Sequence, residues 1–346
     1  MKITAELFEA FLKCPRKCWL RATGKAVGGN KYAEWVKTQD QSYRVSGIER
    51  LVEESSARRV ATSPPAENLK TAKWRLATNL AIGSETNQNA LEACIHGVER
   101  APSEGRGKAA QFIPIRFTFT NKVGRDAKLL AAFDALVLSE ALRRKVSVSK
   151  IIHGANYATL NVQTATLTAE VRKRIEQTVG MLSNQTPPDL ILNRHCPECD
   201  FCKQCYRRAI DADELSLLAN MSAKERQKLR SKGIFTVTQL SYTFRPRRRS
   251  KRLRDRREKY HHSLKALAIR ERKIHVVGTP KLQIDGTPVY LDVEGLPERD
   301  FYYLIGLQID NGDSAVQHSL WADTIGDEAK IWHSSSPSWK PLRNLY

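Results

Sequence analysis

The chain has 346 residues, 41% hydrophobic and 27% charged, a balance that suits folded domains and argues against wholesale disorder. Lys and Arg outnumber Asp and Glu by 57 to 37, a net charge of +20 that favours a polyanionic partner. No apolar run reaches the roughly 18–20 residues of a membrane-spanning helix, and the acids in MKITAELFEAF replace the apolar core of an export leader, so the expected setting is cytoplasmic, with no membrane partner.

The first predicted element is a helix capped by Thr4, with Leu7, Phe8, Phe11 and Leu12 on its apolar face. It runs into Cys14-Pro15-Arg16-Lys17-Cys18. A second helix is predicted from Tyr32 to about Ser55. Leu91–Glu99 and Gln111–Phe119 read as strands around a Gly/Ser/Pro loop. A helix over Lys128–Leu142, a hairpin over Ile151–Gly154 and Ala158–Val162, and a helix over Thr168–Leu182 follow. The order is α/β in character.

Seven cysteines without a leader read better as metal ligands or reduced thiols than as disulfides. Cys196, Cys199, Cys202 and Cys205 recur at a spacing of three, and thiolates placed so on a tight loop can converge on one soft metal centre. The spacing alone admits zinc or an iron–sulfur cluster. Cys94 reads as a core thiol.

Beyond the cysteines, Ser222-Ala-Lys-Glu225 is a capping box. Two short helices joined at Gly233 fit a helix-hairpin-helix or an ordinary helical hairpin. Arg245 to Lys259 carries ten basic and two acidic residues. Such a run is a solvated linker or a nucleic-acid contact, and Arg245, Arg247, Arg248, Arg249, Lys251 and Arg252 are its candidate phosphate contacts. Three strands are predicted between Lys281 and Ile309, including Val289–Val293 and Tyr302–Ile309. Asp292 and Glu294 project from one strand face, so both can reach the same metal ions.

Cys14-Pro15-Arg16 near the start, with Cys196, Cys199 and Cys205 at a domain's end, resembles the iron–sulfur pattern of RecB-type nucleases, the CRISPR-adaptation exonucleases among them. The resemblance implies a [4Fe–4S] cluster held by Cys14, Cys196, Cys199 and Cys205, with Cys18 and Cys202 as spares and zinc as the second choice. With Leu291-Asp292-Val293-Glu294-Gly295, the chain resembles the RecB-like nucleases that carry an RNase H-like domain after the cluster. The organisation implied is a restriction-endonuclease-like domain over 1–212, a helix-hairpin-helix-like segment and basic arm over 213–262, and an incomplete RNase H-like domain over 263–346.

A core of the PD-(D/E)XK type needs an Asp on one strand and Glu-x-Lys on the next, to hold Mg²⁺ and activate water. The matching positions here are His96, Arg116 and Thr118. Either Glu99 substitutes as a carboxylate or this metal site is lost, and a cationic Arg116 favours loss. The remaining catalytic and metal-binding expectation is Asp292 with Glu294, using Mg²⁺ or Mn²⁺ on DNA. The alternative is a non-catalytic nucleic-acid-binding protein with a structural iron–sulfur or zinc site. The 52 residues from Gly295 to Tyr346 are too few for a whole RNase H-like domain, since domains usually exceed about 100 residues; the chain reads as a fragment.

Overall fold

The computed structural model describes residues 1–25, 28–55, 59–71, 73–86, 89–101, 110–244, 262–275, 286–296, 299–310, 312 and 314–334. Among them lie ten α-helices, a seven-stranded mixed sheet and a three-stranded antiparallel sheet. None of these helices is long and apolar enough to cross a membrane.

The chain opens with β1 (Lys2–Thr4), α1 (Ala5–Lys13) and α2 (Pro15–Ala22). Thr4 caps α1 as predicted, its hydroxyl accepting from Leu7 N–H at 3.2 Å. Pro15 opens α2, where its missing N–H costs nothing. Helix α3 (Lys31–Glu54) is followed by β2 (Val60–Thr62), β3 (Leu76–Thr86), β4 (Asn89–Ala101), β5 (Gln111–Thr118), α4 (Arg125–Leu142), β6 (Val148–His153), β7 (Ala158–Gln163) and α5 (Thr168–Ser183). The large sheet has the order β2-β3-β4-β5-β6-β7, and β1 lies parallel to the start of β4. The β5–β6 pair is parallel, with α4 as the crossover between its strands.

Both faces of this sheet are covered. On one, Phe8 of α1 stacks on Phe133 of α4 at 4.7 Å, and both join Leu80, Ile95 and Val98 in the main core. Helix α4 is buried from Leu129 through Leu138, which is why its pattern reads as apolar all round. On the other, Tyr43 of α3 packs with Ile115, Phe117 and Ile152. Gly47 permits that approach: a Cβ there would lie 2.4 Å from the Phe117 ring, so a side chain would force the helix off the sheet.

Beyond Cys196, α6 (Cys202–Asp211) leads to α7 (Ala223–Arg230), α8 (Val237–Ser241) and α9 (His262–Glu271). Both capping boxes form, Ser222 with Glu225 and Thr236 with Gln239. Gly233 turns the hairpin at φ +76°. Leu215, Leu218, Val237, Leu240 and Ala266 form a small core of their own.

The last sheet is β8 (Val289–Leu296), β9 (Phe301–Asp310) and β10 (Ala315–Trp321), in the order β10-β9-β8, followed by α10 (Ile325–Ser334). Two of the three strands predicted between Lys281 and Ile309 are present as β8 and β9, and β10 adds a strand after them; 281–285 lie outside the described residues. Ile305, Leu307, Ala322 and Ile331 form its core. Just before β9, Arg299 lies over the Tyr43 and Phe119 rings at 5.5 and 5.3 Å.

Candidate functional site

The cysteines predicted to act together come from distant stretches. Cys14 lies at the α1–α2 junction, Cys196 and Cys199 in the loop before α6, and Cys202 and Cys205 on α6. All five line one cavity with Leu20, Leu190, Ile191 and Phe201. Cys14 thus stands beside thiols about 180 residues away in sequence. Cys18 is fully buried against Ala10 and Phe11, and burial pushes its thiol up to about 12, so it is a core residue. Cys202 faces the same cavity as the four expected ligands. Cys94 is exposed and lines a different cleft, which corrects its reading as a core thiol.

Polar side chains around the cysteines fasten this arrangement. Asn30 caps α3 through its Oδ1, while its Nδ2 donates to Pro197 O at 2.8 Å and Cys199 O at 3.0 Å. Asn193 Nδ2 donates to Lys13 O at 3.2 Å, and Arg16 Nη1 to Pro188 O at 2.8 Å. Asp200 is 5% exposed and paired with Arg21 at 2.8 Å and Lys37 at 3.2 Å. Burial raises its carboxyl, but those two cations outweigh that and hold it below its ordinary range. The loop is thus fastened by the protein's own polar groups.

A soft donor set around an apolar cavity suits a thiolate-bound centre. Among the described residues, no group of three or more His, Cys, Asp and Glu side chains stands close enough to hold a single metal ion. A mononuclear zinc site would draw its sulfurs to about 3.8 Å apart, from Zn–S bonds near 2.3 Å. An iron–sulfur cluster sets its cysteines on separate irons and needs a wider spread.

The second feature is a cleft of about 790 Å³ bounded by α1, α3, β3, β4, β5 and the start of α4. It gathers His96, Arg116 and Thr118, the three positions where the PD-(D/E)XK pattern would place its metal and base groups, and adds Glu9, Lys13, Asp40 and Arg44. Glu99 is not part of it: its carboxylate pairs with Lys150 at 2.5 Å. The reading of Glu99 as the replacement carboxylate is therefore unsupported by its position.

Within the cleft, Arg116 donates Nε and Nη2 to the two oxygens of Asp134, each at 2.8 Å. The backbone N–H of Phe117 donates to His96 Nδ1 at 3.1 Å. That bond fixes the neutral tautomer with the proton on Nε2. Burial, then Arg116 and Arg44, hold the imidazole well below its ordinary range. A ring whose outward nitrogen carries a hydrogen offers a donor to the cleft, not a lone pair to a cation.

Asp292 and Glu294 lie on β8, both exposed, opposite Gly306 and Leu304 of β9. Val293 between them turns to the small core, so the two carboxylates share the opposite face. Neither carboxylate makes a hydrogen bond or ion pair among the described residues. Arg245, Arg247, Arg248, Arg249, Lys251 and Arg252 lie outside the described residues.

No protein-family model and no curated protein matches the chain. Among solved structures, one described as the crystal structure of SSO0001 aligns at 13% identity over 58% of this chain and 83% of that chain, with a TM-score of 0.32. That likeness is too distant to carry an argument.

Proposed function

We propose that this chain is a nucleic-acid-binding protein of the RecB-like nuclease type, acting on DNA, with a thiolate-bound centre as a structural staple. The observation that carries this reading is the meeting of Cys14 with Cys196, Cys199 and Cys205 at one cavity, the end-to-end closure that the resemblance implies. A [4Fe–4S] cluster on those four residues is the proposed group, and its binding energy would also be folding energy. The net charge of +20 supports a polyanionic partner.

Hydrolysis by the large-sheet cleft is not part of the proposal, because Arg116 and a proton-bearing His96 Nε2 occupy the positions where a metal's ligands belong. Any phosphodiester hydrolysis is assigned to Asp292 and Glu294. Their shared face, with no partner among the described residues, suits Mg²⁺ or Mn²⁺, which would stabilise charge on the phosphate oxygens.

The test digests single- and double-stranded DNA with Mg²⁺ or Mn²⁺, comparing wild type with Asp292→Ala and Glu99→Ala. The expected result is little cleavage by wild type and none by Asp292→Ala. Robust cleavage that survives Asp292→Ala but not Glu99→Ala would restore the RecB-type core as the active site.

A further inference from the structure

Arg44 is anomalous in the large-sheet cleft. It sits one helical turn beyond Asp40 on α3, the spacing at which an ion pair ordinarily forms. No such pair forms, and among the described residues its guanidinium has no hydrogen-bond acceptor. Its Nε is buried and unpartnered, although the group lines the cleft. Leaving a buried charged donor unpaired is costly, and an anion in the cleft would relieve that cost.

Two further donors face the same space. Arg116 commits Nε and Nη2 to Asp134, which fixes the guanidinium plane and leaves Nη1 free. His96 is 7% exposed, spends Nδ1 on the Phe117 N–H, and has no partner for its Nε2–H among the described residues. The nearest carboxylates are largely answered. Glu9 is paired with Lys13 at 2.9 Å and Glu92 with Lys2 at 2.7 Å. Burial, then Glu9, push Asp40 toward its neutral form. Glu6 and Asp126 also line the cleft and oppose an anion from α1 and the first turn of α4.

We infer that this cleft is a metal-independent seat for a phosphate group, held by Arg44, Arg116 Nη1 and His96 Nε2–H. Three donors on one cleft, two of them on guanidinium groups, match phosphate oxygens by charge and by charge-assisted hydrogen bonding. The inference rests on the nucleic-acid reading only for the source of the phosphate, a strand or a free mononucleotide. In chemical terms, the position where the resemblance would place a cation is converted here to an anion site.

The experiment measures binding of a short labelled single-stranded DNA to the full chain in excess EDTA, with AMP, adenosine and inorganic phosphate as competitors. Wild type should bind without divalent metal. Arg44→Gln should weaken binding about tenfold, the worth of one charge-assisted hydrogen bond, while its thermal midpoint stays at or above that of wild type. Competition by AMP and phosphate but not adenosine identifies the phosphate as the recognised group. Loss of binding in EDTA, restored by Mg²⁺, would overturn the inference and make the cleft a cation site. DNA binding unchanged in Arg44→Gln would also overturn it, leaving the nucleic-acid reading intact. AMP binding that needs Arg44, without DNA binding, would uphold the seat and refute that reading.

Discussion

Arg116 on β5 and Asp134 on α4 form a two-bond pair, Nε to Oδ2 and Nη2 to Oδ1 at 2.8 Å each, with the aspartate 1% exposed. The pair explains how a cation can occupy the centre of this sheet. It also joins the cleft to the core, since α4 is the most deeply buried helix of the first sheet.

Removing one partner leaves the other charge buried and unanswered, which typically costs about 3–5 kcal/mol. Arg116→Ala is therefore expected to destabilise the chain by that order in urea unfolding. The double change Arg116→Leu with Asp134→Leu should recover most of the loss, since apolar replacement of a buried pair is often neutral. An Arg116→Ala midpoint equal to wild type would show that the pair carries no stability.

His96 sets a pH dependence. Burial, Arg116 and Arg44 lower its folded-state pKa well below its ordinary value. The unfolded chain then takes up a proton near pH 6.5 that the folded chain refuses, so stability is present above that pH and falls below it. The contribution is at most about 1.4 kcal/mol per pH unit. Unfolding free energies of wild type and His96→Gln, measured from pH 7.5 down to about pH 5, should converge as the pH falls. Parallel curves would mean that His96 does not titrate on unfolding.

The cysteine cavity separates two ligand sets. If Cys14 closes the site, Cys14→Ser should strip bound metal as fully as Cys199→Ser, and Cys202→Ser should keep it. Iron and zinc content with a visible spectrum measures this, because a cluster absorbs and zinc does not. Metal retained in Cys14→Ser but absent from Cys202→Ser would assign the site to the local four-cysteine loop.

Neutralising Arg247, Arg248 and Arg249 together should weaken DNA binding about equally for all sequences, since phosphate contacts carry charge without base information. The slope of log K against log salt should fall by up to about 0.9 for each phosphate no longer neutralised. An unaltered slope would make the run a solvated linker.

Local chemistry made much of the chain readable. Thr4, Ser222 with Glu225, and the apolar run from Leu129 to Leu138 specify α1, α7 and α4 because capping and burial are set by neighbours within a few residues. The spacing of Cys196 to Cys205 likewise drew attention to the loop before α6. Strand β3 escaped because Thr78, Asn79, Gly83 and Ser84 read as turn residues, and only pairing with β2 and β4 makes them a strand. Cys94 looked like core by residue type, yet its place on β4 exposes it to the cleft. The sequence showed that His96, Arg116 and Thr118 depart from a metal-binding pattern. It could not show that Asp134 neutralises Arg116, that Phe117 N–H sets the His96 proton on Nε2, or that Arg44 is left unpaired. Those relations depend on α3 and α4 crossing opposite faces of one sheet, which brings together residues 18 to about 70 positions apart that no local pattern links.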